Sequence, residues 1–209
     1  MASTIQVDNI KDIGGNTMIS SNGSGTFTSN LPAVAPNVST ATGTLPIANG
    51  GTGAATFAAA GVVNAPAFEA YMSAPQTPTD ATWTKLNYNT ETFDTAGAYD
   101  TSLFRFTPLT SGKYFCYSQV TFDAQGVDIF HRAYSGIYFN GSIYKQSQFD
   151  NYDNYFLYAT TNTISAVITF NGSSDYIESY CYFDVTSGTS HRINSGNSSI
   201  FGAYKLIGA

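Results

Sequence analysis

"DYIESYCYF", residues 175–183, reads as an extended strand. Successive strand side chains point to opposite sides, so Ile177, Cys181 and Phe183 share one face while Tyr176, Tyr180 and Tyr182 share the other. Both faces are apolar or aromatic, so one has to meet a core and the other a second partner.

Runs of the same character recur on either side. "SLFRFTPL", "GKYFCYSQVTF", "AYSGIYFNGSIYKQSQF", "NTISAVITF" and "SSIFGAYKLI" are rich in Tyr, Phe, Val, Ile and Thr. Turn signals separate them. Asn140-Gly141 and Asn171-Gly172 suit tight hairpins, because a type I′ turn needs positive φ at both central residues. No long segment keeps a 3.6-residue apolar period, although "ATFAAAGVV" (55–63) has the composition of a short helical piece. Many short strands without intervening helices predict an all-β fold, a sandwich or jelly roll.

The chain changes composition near Pro66. Before it the only charged residues are Asp8, Lys11 and Asp12, and the only aromatics are Phe27 and Phe57; all 15 tyrosines and the single Trp83 follow it. With 43% hydrophobic residues the later part has ample material for a core. The early part, so poor in aromatics, has too little to bury a core of its own and needs sister chains or a docking partner.

A net charge of −6 argues against nucleic acid, whose phosphates call for clustered Lys and Arg. No apolar run approaches the roughly 20 residues that cross a bilayer, and "MASTIQVDNIKD" lacks the basic start and apolar core of a secretion signal, so no membrane insertion is expected. Cys116 and Cys181 lie in alternating strands; buried free thiols are the expected state, a disulfide the alternative.

The stretch from Tyr88 resembles the signature of the complement C1q/tumour-necrosis-factor globular heads. Asp94, Tyr99, Phe106, Gly112 and Tyr114 follow at matching spacings. "PAFEAYMS" is similar to the first strand of that family, "GSSDYIESYCYF" to a later one and "SSIFGAYKLIG" to its closing strand, so the likeness covers residues 66–209. Three positions depart from the pattern: Tyr88 and Cys116 replace phenylalanines, and Ala203 follows Gly202 where an aromatic is usual. The resemblance implies a jelly-roll head, trimeric about a threefold axis, with Tyr114, Phe201 and Tyr204 as interface candidates. Filling of the protomer's own core is the competing reading for each of them. Tyr180, on the second aromatic face, joins the interface candidates.

"LPIANGGTGA" (45–54) contains glycines but no phosphate loop, because Thr56 stands where a dinucleotide fingerprint has its third Gly, and no Gly-Lys-Ser/Thr follows. "TGTLPIANGGTGA" (42–54) instead resembles an element repeated along trimeric shafts of bacteriophage tail fibres. Gly50, Gly51 and Gly53 would let backbones approach closely there; a flexible linker is the alternative. "STIQVDNIKDIGGNTMISSNGSGTFTSN" (3–30) is similar to the amino-terminal segment of phage structural proteins. The organisation expected is a virion-attachment segment (1–30), a shaft or linker (31–65) and a head (66–209).

Catalysis has little support. There is no Gly-x-Ser-x-Gly elbow and no His-Glu-x-x-His, and His131 and His191 lie in turn-rich surroundings that suit the surface. The loops "DAQGVDIFHRAY" and "QSQFDNYDNYF" combine aromatic, amide and acidic residues, the types that stack on sugars and bind hydroxyls. His131, Asp150, Tyr152, Asp153 and Tyr155 are therefore the receptor-binding candidates, with Asp150 and Asp153 as possible calcium ligands and no other cofactor expected. The resulting expectation is a homotrimeric fibre protein on the phage particle, assembled in the host cytoplasm. It would contact other virion proteins through its amino terminus and a host-surface glycan or protein through its head. A structural capsid fibre or decoration protein, and a cellular binding module, are the alternatives.

Overall fold

The computed structural model describes residues 9–21, 27–29, 53–54, 56, 59–60, 62–126, 129–151, 157–186 and 190–208. The chain divides into two compact units, Met1–Gly53 and Ala54–Ala209.

In the first unit, β1 (Asn9–Lys11), β2 (Thr17–Ser21) and β3 (Phe27–Ser29) form an antiparallel sheet. The Asp12 carboxylate closes the β1–β2 turn by accepting from the Asn16 backbone N–H at 2.8 Å and from Asn16 Nδ2 at 2.9 Å. Those bonds hold its pKa below the usual carboxylate value.

The second unit is a β-sandwich. Its strands are β4 (Ala67–Tyr71), β5 (Thr84–Lys85), β6 (Thr90–Asp94), β7 (Tyr99–Asp100), β8 (Arg105–Phe106), β9 (Gly112–Asp123) and β10 (Phe130–Phe139). They continue as β11 (Ser142–Asp150), β12 (Ala159–Phe170), β13 (Ile177–Val185), β14 (Arg192–Ile193) and β15 (Ile200–Lys205). One sheet, here called the front, runs β12-β9-β15-β4-β6 with β14 beside β9. The back sheet runs β11-β10-β13-β8-β7 with β5 beside β13. This is the expected all-β jelly roll.

Alternation decides which side chains fill the middle. Along β9, Tyr114, Cys116, Ser118, Val120 and Phe122 are buried, and along β13 Ile177, Ser179, Cys181, Phe183 and Val185 face them. Phe68 stacks on both Tyr99 and Phe106 at 4.5 Å and meets Phe201 edge-on at 5.2 Å. Across the middle, Ser118 Oγ and Ser179 Oγ are 2.8 Å apart, and the Tyr88 hydroxyl lies 3.3 Å from Ser118 Oγ. The extra hydroxyl that Tyr88 brings to a phenylalanine position therefore has partners. The other two departures from the pattern, Cys116 and Ala203, are cross-strand neighbours.

The signature residues converge for physical reasons. Asp94 accepts from the backbone N–H groups of Ala96 and Tyr99, at 3.0 and 2.8 Å, which fixes the loop that delivers Tyr99 into the core. Gly112, at φ +139°, starts β9, and the Tyr114 hydroxyl then donates back to the Thr110 carbonyl at 2.8 Å.

Asn140 and Gly141 take φ values of +51° and +78°, forming the tight β10–β11 hairpin. Asn171-Gly172 does not form one. It starts the link from β12 in the front sheet to β13 in the back sheet, and only Gly172 has positive φ. Asn171 Oδ1 there accepts from the backbone N–H groups of Ser173 and Ser174, so the side chain organises a wider loop. Within "ATFAAAGVV" one turn is described, in which the Ala60 N–H donates to the Thr56 carbonyl at 3.0 Å.

Candidate functional site

The outward face of the front sheet is aromatic. Cross-strand pairing aligns Val167, Phe115, Tyr204 and Ala67 in one row, and Ser165, Tyr117, Gly202, Glu69 and Phe93 in the next. Phe115 lies 5.4 Å from the Tyr204 ring and 6.2 Å from that of Tyr117. Val167 and Phe93, on the two outermost strands, are 49% and 45% exposed. Tyr117 donates to Glu69 Oε2 at 2.8 Å, and burial together with this carboxylate pushes the Tyr117 phenol above its ordinary pKa.

Of the four interface candidates, only Tyr204 is on this face. Tyr114 and Phe201 are fully buried inside the protomer, where strand alternation turns them inward, so the core reading replaces the interface one for both. Tyr180 lies on the far side of the sandwich, on the outward face of the back sheet, stacked on Tyr138 at 3.9 Å. Beside Tyr204, the aromatics that β9 places on this face are Phe115 and Tyr117. They sit one place either side of inward-facing Cys116, a parity that the free choice between faces leaves unread in sequence.

Among the recognition candidates, Asp150 ends β11 and accepts a hydrogen bond from the Tyr134 hydroxyl, with Arg132 Nε at 3.9 Å from the same carboxylate. His131 Nδ1 is 3.8 Å from Asp184 Oδ1. His131 and Asp150 thus belong to one polar cluster completed by Arg132 and Asp184. Tyr152, Asp153 and Tyr155 lie outside the described residues, as do Gly50 and Gly51; Gly53 has φ +70°. Among the described residues no group of three or more His, Cys, Asp and Glu is placed to hold a metal ion.

His191 corrects the surface expectation. It is buried at 3% exposure, its Nε2 lies 2.8 Å from the Pro78 carbonyl oxygen, and its ring meets Phe183 edge-on at 5.4 Å. Turn-rich sequence concealed the short strand β14, which carries the chain back against the core. Cys116 and Cys181 are both free and buried, and burial raises both thiol pKa values.

No protein-family model and no curated protein matches the chain. Solved structures do. The globular domain of zebrafish complement 1qA protein is 13% identical, covering 68% of this chain and 96% of its own, with a TM-score of 0.48. The structure of Eiger TNF from S. frugiperda is 14% identical, covering 68% of this chain and 93% of its own, with a TM-score of 0.50. Murine APRIL, at pH 5.0, is 12% identical, covering 67% of this chain and 98% of its own, with a TM-score of 0.47. The likeness to the Eiger TNF structure, with the sheet order described above, shows that the second unit has the C1q/TNF-like jelly-roll fold.

Proposed function

We propose that the chain is a homotrimeric fibre protein of a bacteriophage virion whose head binds the host-cell surface. Residues 1–30 attach it to other virion proteins, 31–65 form a Gly-rich shaft, and the jelly-roll head is the binding end. The observation that carries the trimer is the outward face of the front sheet. Phe115, Tyr117 and Tyr204 form a half-buried aromatic patch, with exposed Val167 beside Phe115 and exposed Phe93 beyond Glu69, that a protomer alone leaves partly open to water. Three copies around an axis would cover it symmetrically. The shaft and virion assignments rest on the resemblance of residues 3–54 to phage fibre segments. The head has no catalytic role in this reading, and its three copies engage the surface by avidity.

The test is the solution mass of the full chain by light scattering, beside Phe115→Glu. Three chains for the natural protein and one for the variant support the reading. Monomers of the natural protein at micromolar concentration overturn it. Antibody labelling of intact particles then separates the alternatives, since tail location favours adsorption, lattice location a decoration role, and absence from particles a cellular binding module.

A further inference from the structure

The outward face of the back sheet carries a second aromatic surface of different chemistry. Trp83, just before β5, extends its indole over Gly136 of β10; a Cβ at Gly136 would lie 3.1 Å from Trp83 Cζ3, so only glycine leaves the ring its full room. Tyr134 and Tyr182 stack at 5.4 Å on one side of the indole, and Tyr138 and Tyr180 stack at 3.9 Å on the other. Trp83 is 5.8 to 6.4 Å from Tyr182, Tyr138 and Tyr134. The five rings form a strip, each only partly buried.

Polar groups border the strip along its length. At the Tyr134 end stand Arg132, Asp150, Asp184 and His131, and at the Tyr180 end Glu178 is paired with Lys85. On β11, Gln148 lies opposite Tyr134 and Gln146 opposite Gly136. Both amides are exposed and have no hydrogen-bond partner among the described residues.

We infer that this strip is a binding site for a neutral oligosaccharide. Pyranose rings offer flat C–H faces that stack on aromatic rings, and their hydroxyls need donors and acceptors at the rim, which the amides, carboxylates and guanidinium supply. Charge selects among glycans. Asp150, Asp184 and Glu178 stand against Arg132 and Lys85, with Arg105 cross-strand from Glu178 and Asp100 cross-strand from Arg105, so the rim has no excess of positive charge; on a chain of net charge −6, sulfated or phosphorylated chains are disfavoured. The strip is shallow and elongated, which fits a chain of rings better than a single deep anchor. The site rests on the surface-binding reading for its setting but not on the trimer, because all of its residues come from one protomer.

Trp83 is the only tryptophan, so its fluorescence reports this site alone. The full chain is titrated with cellohexaose, maltohexaose and chitohexaose, and with a heparin hexasaccharide as anionic probe. The expected result is a saturable change with at least one neutral hexasaccharide at or below about 1 mM. By calorimetry, Gln146→Ala/Gln148→Ala and Trp83→Phe each weaken that binding, Trp83→Phe by about tenfold. The glutamine pair is exposed, so its loss leaves the fold intact. Saturation by no neutral probe, by heparin alone, or with full affinity in both variants overturns the inference. A monomer that still binds a neutral hexasaccharide defeats only the trimer, and a trimer that binds none defeats only this site.

Discussion

The Tyr117 hydroxyl crosses strand β15 to donate to Glu69 on β4, at 2.8 Å, and it passes directly over Gly202. The ring occupies the place where a side chain at 202 would stand. Ala203, which stands where the related pattern has an aromatic, faces the core, while the outward ring over Gly202 comes from the neighbouring strand.

Gly202→Ala therefore displaces Tyr117 and breaks its bond to Glu69. The expected cost is about 1–3 kcal/mol of stability, measured by denaturant titration. Tyr117→Phe, which keeps the ring and removes only the hydroxyl, should be destabilised less than Gly202→Ala in the same titration.

Phe68 touches Tyr99, Phe106 and Phe201 at once, joining the two sheets at one end of the sandwich. Phe68→Ala should lower unfolding free energy by about 3–5 kcal/mol, measured by denaturant titration. An exposed control, Leu109→Ala, at 73% exposure, should remain within about 0.5 kcal/mol of the natural chain.

The two thiols are sealed from solvent and held protonated by burial. A thiol reagent at neutral pH should therefore find no fast-reacting site in the folded protein and two sites in denaturant. Fast labelling of either cysteine under native conditions would contradict this placement.

Burial raises the Tyr114 and Tyr180 phenols to about 12. A raised acid pKa means the folded state keeps a proton that the unfolded chain releases near pH 10. The stabilisation is complete below that pH and disappears as pH climbs from about 10 towards 12. Melting temperature should hold steady to about pH 9.5 and then fall, in step with tyrosinate absorbance.

Much of the head was readable because strand period and turn chemistry are local. "DYIESYCYF" announced both of its faces, and the aromatic second face packs in part against Trp83 and the β10 tyrosines. Asn140-Gly141 formed its hairpin, whereas Asn171-Gly172 could not, since the choice between pairing neighbours and crossing to the other sheet is tertiary. Tyr114 and Phe201 show a similar limit, because period 2 separates two faces but does not say which one meets the core. The Trp83 strip was the least legible part of all. It brings together Trp83, Gly136 and Tyr182 from distant segments, and the only trace in sequence is a glycine among alternating tyrosines.

The hydroxyl pair between Ser118 and Ser179 has a consequence for how the two sheets find each other. Greasy surfaces are tolerant of sliding, since one methyl is much like the next. Two hydroxyls in a dry interior meet at a single offset, and a slide that parts them costs about 1–3 kcal/mol for each one left without a partner. The pair is a registration mark at the centre of the sandwich. It holds the front sheet's aromatic face and the back sheet's Trp83 strip in fixed alignment, so two outward surfaces that never touch share one internal reference point.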